Sequence, residues 1–279
     1  MRKRITTGIC FLTGIIALLL LAKTWWYAAV CATVDLWITW EYLRAVGLLS
    51  NLCLSIPSLL MALAAPLLTF LPHNFDGSVS VLLTVIVGYI VSLALLSVLF
   101  FRRAETKDIS VVSFGTLYMT VAMSSLVILS FAHPDYSVVM VLPVMIAALV
   151  TDTCAFFVGI CIGKHKLAPE LSPKKTVEGG IGGVVCCVIV FYIYAWAVSG
   201  LTNLSPRWIL VGICGFVASI LAQAGDLLMS KIKRETGIKD FGTVFPGHGG
   251  MLDRFDSMLP TAIVCLFFVL LPNSLSLFH

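Results

Sequence analysis

The chain has 279 residues, of which 59% are hydrophobic and only 11% charged, and its mean hydropathy is +1.04. A composition this apolar exceeds what a soluble core can bury and excludes a water-soluble globular domain. The net charge of +4 is too modest to point to nucleic acid, so the placement of the charges carries more than their sum. The predicted class is all-α, a polytopic integral membrane protein.

In chain order, Arg2-Lys3-Arg4 precedes the first apolar run. This reads as an uncleaved first span rather than a signal peptide, because the next apolar segment follows at once and continues to Glu41 and Arg44. Ala29-Val30-Cys31 is the competing, lipoprotein-type cleavage reading. Segments of spanning length fall near 5–22, 24–46, 48–71, 79–101, 109–131, 136–162, 180–200, 206–230 and 257–277, which predicts about nine transmembrane helices. With a cytoplasmic N-terminus, only Lys23 and Arg207 lie on outer loops, leaving 16 of the 18 basic residues inside. The outer loops near 71–77, 132–135 and 199–206 are short, and His73 and His133 read as solvated loop residues. All nine cysteines fall within apolar segments without a CxxC pair, which favours packing over disulfide or zinc roles. A single membrane domain is expected, with N-terminal helices over 1–135 and a catalytic region over 136–279.

Three acids stand in apolar segments: Asp35, Asp152 and Asp226. Acids in such positions are costly and mark function by default, although an interhelical hydrogen bond explains Asp35 equally well. Asp152 and Asp226 precede the two long inner loops, 163–180 and 231–256, which the alternation of spans places on one side of the membrane. The first loop carries Ser172, Lys174, Lys175, Thr176 and Glu178. Ser172-Pro173 is expected to start a short helix, the lysines and Thr176 suit phosphate oxygens, and the glycines at 179, 180, 182 and 183 open a helix that can approach its neighbours closely. The bland alternative is a polybasic patch on anionic lipid.

The second stretch is richer. Asp226 and Ser230 stand at i, i+4, with Lys233 and Arg234 next along the helix. Lys239, Asp240, a Pro246-Gly-His248-Gly-Gly250 run, Asp253, Arg254 and Asp256 follow. Asp253 and Asp256, at i, i+3, share a face if the segment is helical. Hard carboxylate ligands surrounded by cations are what a divalent metal and phosphates require; a charged juxtamembrane loop is the alternative. Glycines around His248 let backbone N–H groups approach an anion. No Walker A loop, GxGxxG or GxSxG occurs.

The run from Ser230-Lys-Ile-Lys-Arg234 through Lys239-Asp-Phe-Gly242 to Pro246-Gly-His-Gly-Gly-Met-Leu-Asp253-Arg-Phe-Asp256 resembles the signature of phosphatidate cytidylyltransferases, the CDP-diacylglycerol synthases. Asp152-Thr-Cys-Ala-Phe156 and Gly163 to Gly179 resemble that family's preceding block. The resemblance is specific from about 150 to 257; the N-terminal half matches in hydropathy, the basic start and the Glu41-Tyr-Leu step. Phe156 departs from it, since tyrosine is frequent there. The resemblance implies transfer of CMP from CTP to phosphatidate with Mg2+, and it allows a second cation beside it. It further implies a site facing the cytoplasm from a bacterial inner membrane. On that reading Asp226, Asp253 and Asp256 bind metal, with Asp152 as a further or alternative ligand. Lys239, Asp240, His248 and Arg254 form the catalytic set. Ser172, Lys174, Lys175, Thr176, Glu178, Ser230, Lys233 and Arg234 bind substrate. CTP, phosphatidate and the bilayer are the expected partners, nucleic acid is not, and a homodimer is left open.

Two rivals make different predictions. A transporter spreads its acids along a path through the bilayer, whereas here the functional groups gather at one face. A CDP-alcohol phosphatidyltransferase carries an Asp-Gly-x-x-Ala-Arg run, which this sequence lacks.

Overall fold

The structure, a computed structural model, describes residues 19–100, 102–103, 105–133, 135–244, 249–271 and 277–278. Most of the first expected span, Pro246 to His248, and residues 272–276 of the last span lie outside the described residues. The chain divides into two compact units, Met1–Val138 with Thr236–Phe255, and Val139–Glu235 with Asp256–His279.

In the first unit, helix α1 (Trp25–Ala45) begins where the Thr24 hydroxyl accepts the Tyr27 N–H at 3.3 Å. It ends at Gly47, whose φ of 76° is the left-handed turn that lets the Leu48 N–H reach the Leu43 carbonyl. Helix α2 (Leu52–Phe70) contains Pro57 and Pro66, and α3 (Phe75–Leu99) is capped by Asn74. Helix α4 (Thr106–Leu129) is the centre of this unit: 67% of its most apolar stretch is buried, against 17% for α3, which leaves Leu83, Val87, Leu95 and Val98 for lipid. The phenol of Tyr27 donates to Leu126 O and that of Tyr42 to Val111 O, tying α1 to α4 at two levels. The segment 236–255 belongs to the same unit and includes the single-turn helix α8 (Leu252–Phe255).

The second unit contains α5 (Ser137–Ile162), an antiparallel hairpin of β1 (Lys166–Ala168) and β2 (Ser172–Thr176), α6 (Val177–Leu201), α7 (Trp208–Glu235) and α9 (Met258–Leu270). The 179–183 glycines serve close packing, as expected. A Cβ on Gly179 would lie 2.6 Å from Ala155 O, and one on Gly183 2.9 Å from Thr151 O, so α6 rests backbone to backbone on α5. A buried hydrogen bond from Thr151 to Ser219 (2.7 Å) joins α5 to α7.

Among the described residues, six helices (α2 to α7) are long and apolar enough to cross a membrane. Helix α1 occupies the expected second span but carries Asp35, Glu41 and Arg44, and α9 covers only 13 residues of the expected last one. Two local expectations are corrected. Ser172-Pro173 opens a strand, not a helix: the proline φ also suits an extended edge strand, and Lys166 pairs across to Thr176. Helix α8 ends at Phe255, so Asp256 lies beyond it and the helical face anticipated for Asp253 and Asp256 does not form.

Candidate active site

Helices α5, α6 and α7 and the hairpin enclose a cavity of about 530 Å³ in the second unit. Asp152, Phe156 and Ile160 line it from α5, Lys166, Lys174, Lys175 and Thr176 from the hairpin, Gly180 from α6, and Gln223 and Asp226 from α7. Lys175 and Asp226 meet at 2.7 Å, with the ammonium nitrogen removed from solvent. One helical turn on, Ser230 donates to the other Asp226 oxygen at 3.4 Å, the i, i+4 relation read from the sequence. Phe156 and Ile160 are 62% and 68% exposed, so the cavity has an apolar side as well as a charged one.

Several sequence-selected residues in this unit hold the frame of the cavity together, and Thr176 also lines it. Thr176 caps α6, accepting the Gly179 N–H at 3.2 Å. Glu178, in the first turn of α6, accepts the backbone N–H groups of Lys164 and His165 and meets His165 Nδ1 at 2.6 Å. Those contacts pin the base of the hairpin to the helix start. Ser172 is half-buried in β2, and Arg234 is exposed at the end of α7.

Asp256 is the most perturbed acid of the site. Part of the residue remains accessible, but its carboxyl is surrounded by protein, close to Asp226 and Asp152. Burial first, and then the Asp226 and Asp152 charges, push its pKa up to about 8; the Ser257 N–H and Lys233 oppose this only partly. Ser257 also donates to Asp152 Oδ2 at 2.8 Å. Three hard oxygen ligands crowded until one keeps its proton is a donor set that suits a divalent cation, whose charge relieves the repulsion. Among the described residues, no three His, Cys, Asp or Glu side chains form a finished metal cage.

In the first unit the 239–255 stretch is organised by two carboxylates. Asp253 Oδ2 accepts the Phe241 and Gly250 N–H groups at 2.8 and 2.9 Å, which ties the two sides of the turn to one carboxylate. Glu41, fully buried on α1, accepts the Met251 and Leu252 N–H groups at 3.1 and 2.8 Å. Lys239, Asp240 and Arg254 are exposed around this frame, and His248 lies outside the described residues. A Cβ on Gly249 (φ 83°) would meet Asp253 at 2.8 Å and Asp240 at 3.3 Å, which places both acids against that turn.

Sequence reading missed Gln223, Lys166, Ser257 and the loop-holding role of Glu41. Gln223 donates to Gly180 O and stands three residues before Asp226, so the shared helical face was its signal. Ser257 adjoins Asp256. Glu41, an acid in an apolar helix, was visible, but its loop partners lie more than 200 residues away.

A family model described as the Cytidylyltransferase family matches residues 2–271. Proteins named phosphatidate cytidylyltransferase from Staphylococcus aureus (strain COL), Staphylococcus haemolyticus (strain JCSC1435) and Staphylococcus epidermidis (strain ATCC 12228 / FDA PCI 1200) are similar to it. They are 48%, 47% and 45% identical over 109 residues, 39% of this chain. The matched stretch spans 40% of the length of each of these relatives.

Proposed function

The chain belongs to the cytidylyltransferase family, and from that premise we propose that it transfers CMP from CTP to phosphatidate, giving CDP-diacylglycerol and pyrophosphate. The observation that carries this reading is the two-sided cavity, lysines and aspartates on one side and exposed Phe156 and Ile160 on the other. A soluble triphosphate and a lipid phosphate whose tails stay in the bilayer need such a combination. The names of the staphylococcal relatives support the choice of substrates.

The chemistry asks for charge control more than proton transfer. A phosphate monoester has its second pKa near ~6, so the lipid phosphate is already a nucleophile at neutral pH. Its oxygen attacks the α-phosphorus of CTP, a new P–O bond forms, and the bond from the α-phosphorus to the β-bridging oxygen breaks with its electron pair leaving on pyrophosphate. Repulsion between the two anions is the barrier. Lys166, Lys174 and Lys175 line the cavity where a phosphate enters, and Lys175 is held in place by Asp226. Lys239, Asp240, His248 and Arg254 we assign to the triphosphate from their chemistry. Asp152, Asp226 and Asp256 are the groups that would hold Mg2+, and Asp253 stays a metal candidate on its chemistry as a hard oxygen donor. Bound there, the ion supplies positive charge to the reacting phosphates.

The basic residues on alternate loops support a cytoplasm-facing site in a bacterial inner membrane. The direct test incubates purified protein with CTP, Mg2+ and phosphatidate in mixed micelles and follows lipid-linked CMP and pyrophosphate. Equal release of both supports the reaction; pyrophosphate without lipid-linked CMP overturns it.

A further inference from the structure

Helix α1 reaches a chemistry-bearing loop that lies some 200 positions away in sequence. Glu41 has no exposed surface, and among the described residues no lysine or arginine forms an ion pair with it. Its oxygens accept from N–H donors: Met251 on Oε1 (3.1 Å), Leu252 on Oε2 (2.8 Å) and the Trp37 indole on Oε1 (3.3 Å). One turn on, the Arg44 guanidinium donates to Phe241 O and lies 4.6 Å from the centre of the Trp40 ring. The loop is shaped to receive this pair. Gly242 and Gly250 face the carboxylate so closely that a Cβ on Gly250 would lie 2.6 Å from Oε2, and one on Gly242 would run into Oε1.

A buried carboxylate that serves only packing has no need of two consecutive backbone amides from a distant loop. Charge-assisted bonds of this kind are roughly twice as strong as neutral ones and fix direction as well as distance. The amides held belong to Met251 and Leu252, immediately before Asp253 and Arg254, and the carbonyl held by Arg44 belongs to Phe241, immediately after Lys239 and Asp240. Both ends of the loop are thereby anchored to α1.

We propose that Glu41, with Arg44, is a positioning residue of this enzyme: it fixes the backbone at 241–242 and 250–252 so that Lys239, Asp240, Asp253 and Arg254 are presented in one arrangement. The inference rests on the CMP-transfer reading for its catalytic consequence and on the α1 contacts for its structural part.

Three full-length variants test it in detergent. Glu41→Gln keeps the side-chain length but turns an NH2 group toward N–H donors. Gly242→Ala keeps the charge and displaces the carboxylate from the loop side. Asp35→Asn alters another buried acid on α1, one whose Oδ1 accepts from the Thr39 hydroxyl of the same helix. Hydrogen exchange is read peptide by peptide, and kcat and KM are measured with CTP and phosphatidate. Exchange across 241–252 should rise at least ~10-fold in Glu41→Gln and Gly242→Ala while α2 to α4 keep wild-type protection, with no such rise in Asp35→Asn. In the same two variants kcat should fall at least ~10-fold with KM for phosphatidate within ~2-fold, the pattern of misplaced rather than missing groups. Exchange that rises evenly through all helices, or equally in Asp35→Asn, overturns the proposal, and so does loop-confined exchange with wild-type kcat. If the wild-type protein forms no lipid-linked CMP, the functional reading fails while the exchange pattern still decides the α1 anchor.

Discussion

Lys175 and Asp256 are the two residues whose surroundings say most about the chemistry. Lys175 sits against Asp226 with its nitrogen shielded, whereas Lys107 pairs in the open with Glu105. Attraction to anionic lipid is worth on the order of 1 kcal/mol per lysine and fades with salt; a sheltered ammonium facing reacting phosphates is not replaced by salt. Lys175→Gln is therefore expected to lower kcat/KM at least ~100-fold, the scale of losing one central electrostatic group. That loss should persist at high ionic strength and in neutral micelles, while Lys107→Gln stays near wild type; a matching, salt-sensitive loss in both makes the lysines a lipid-facing patch. Asp256 gives a pH signature. Its pKa is raised from 3.8 to about 8 in the folded protein, so the native state keeps a proton that the unfolded chain has already released. Stability of the metal-free protein should then fall as pH rises from ~4 to ~8 and level off above that. If Asp256 holds Mg2+ as proposed, the ion has to displace that proton, and its stabilising effect should grow across the same window. Melting curves with and without Mg2+ read both trends, and Asp256→Asn should flatten them. Wild-type curves that are flat over this range would remove Asp256 from the metal set.

At the scale of elements, the second unit depends on α6 lying against α5. Gly179→Ala forces a methyl group toward Ala155 O and should cost about 1–3 kcal/mol, the usual range for overpacking. Gly200→Ala, on the same helix with nothing within 4 Å, should be neutral or slightly stabilising because alanine is the better helix former. Detergent unfolding of the two variants compares them; equal stability means that the α5–α6 approach is not under strain. These glycines were legible in the sequence because small residues at helical spacing in an apolar segment have few other uses. The Asp226-to-Ser230 relation was legible for the same reason, a fixed period. The hairpin was not. Two short strands of mostly polar residues present no hydrophobic alternation, and Ser-Pro starts a helix or an extended strand with equal ease. Helix α8 was misjudged in a related way: i, i+3 spacing says where side chains point only while the helix lasts, and this one stops after a single turn.

For the whole molecule, composition settled the class, because hydropathy sums over hundreds of residues and no local detail reverses it. What it could not reveal was that the signature stretch is shared between the two units, with 236–255 in the first and Asp226 and Asp256 in the second. Division into units depends on contacts between distant segments, such as Glu41 with Leu252, which have no sequence period. Membrane orientation is the property of the whole chain that the functional reading depends on most. It rests on the asymmetry of lysine and arginine between alternate loops, a bias set during insertion. Reporters fused after Lys107 and after Lys174 should read cytoplasmic, and one after Asn203 should read extracytoplasmic. The hairpin lysines line the cavity, so the location of Lys174 decides whether CTP, which is made and kept in the cytoplasm, has access to it. A cytoplasmic reading at Lys107 with an extracytoplasmic one at Lys174 means that a span has been miscounted between them. The lysine cavity would then face away from its nucleotide, and the CMP-transfer reading would have to be abandoned even if every aspartate proved essential.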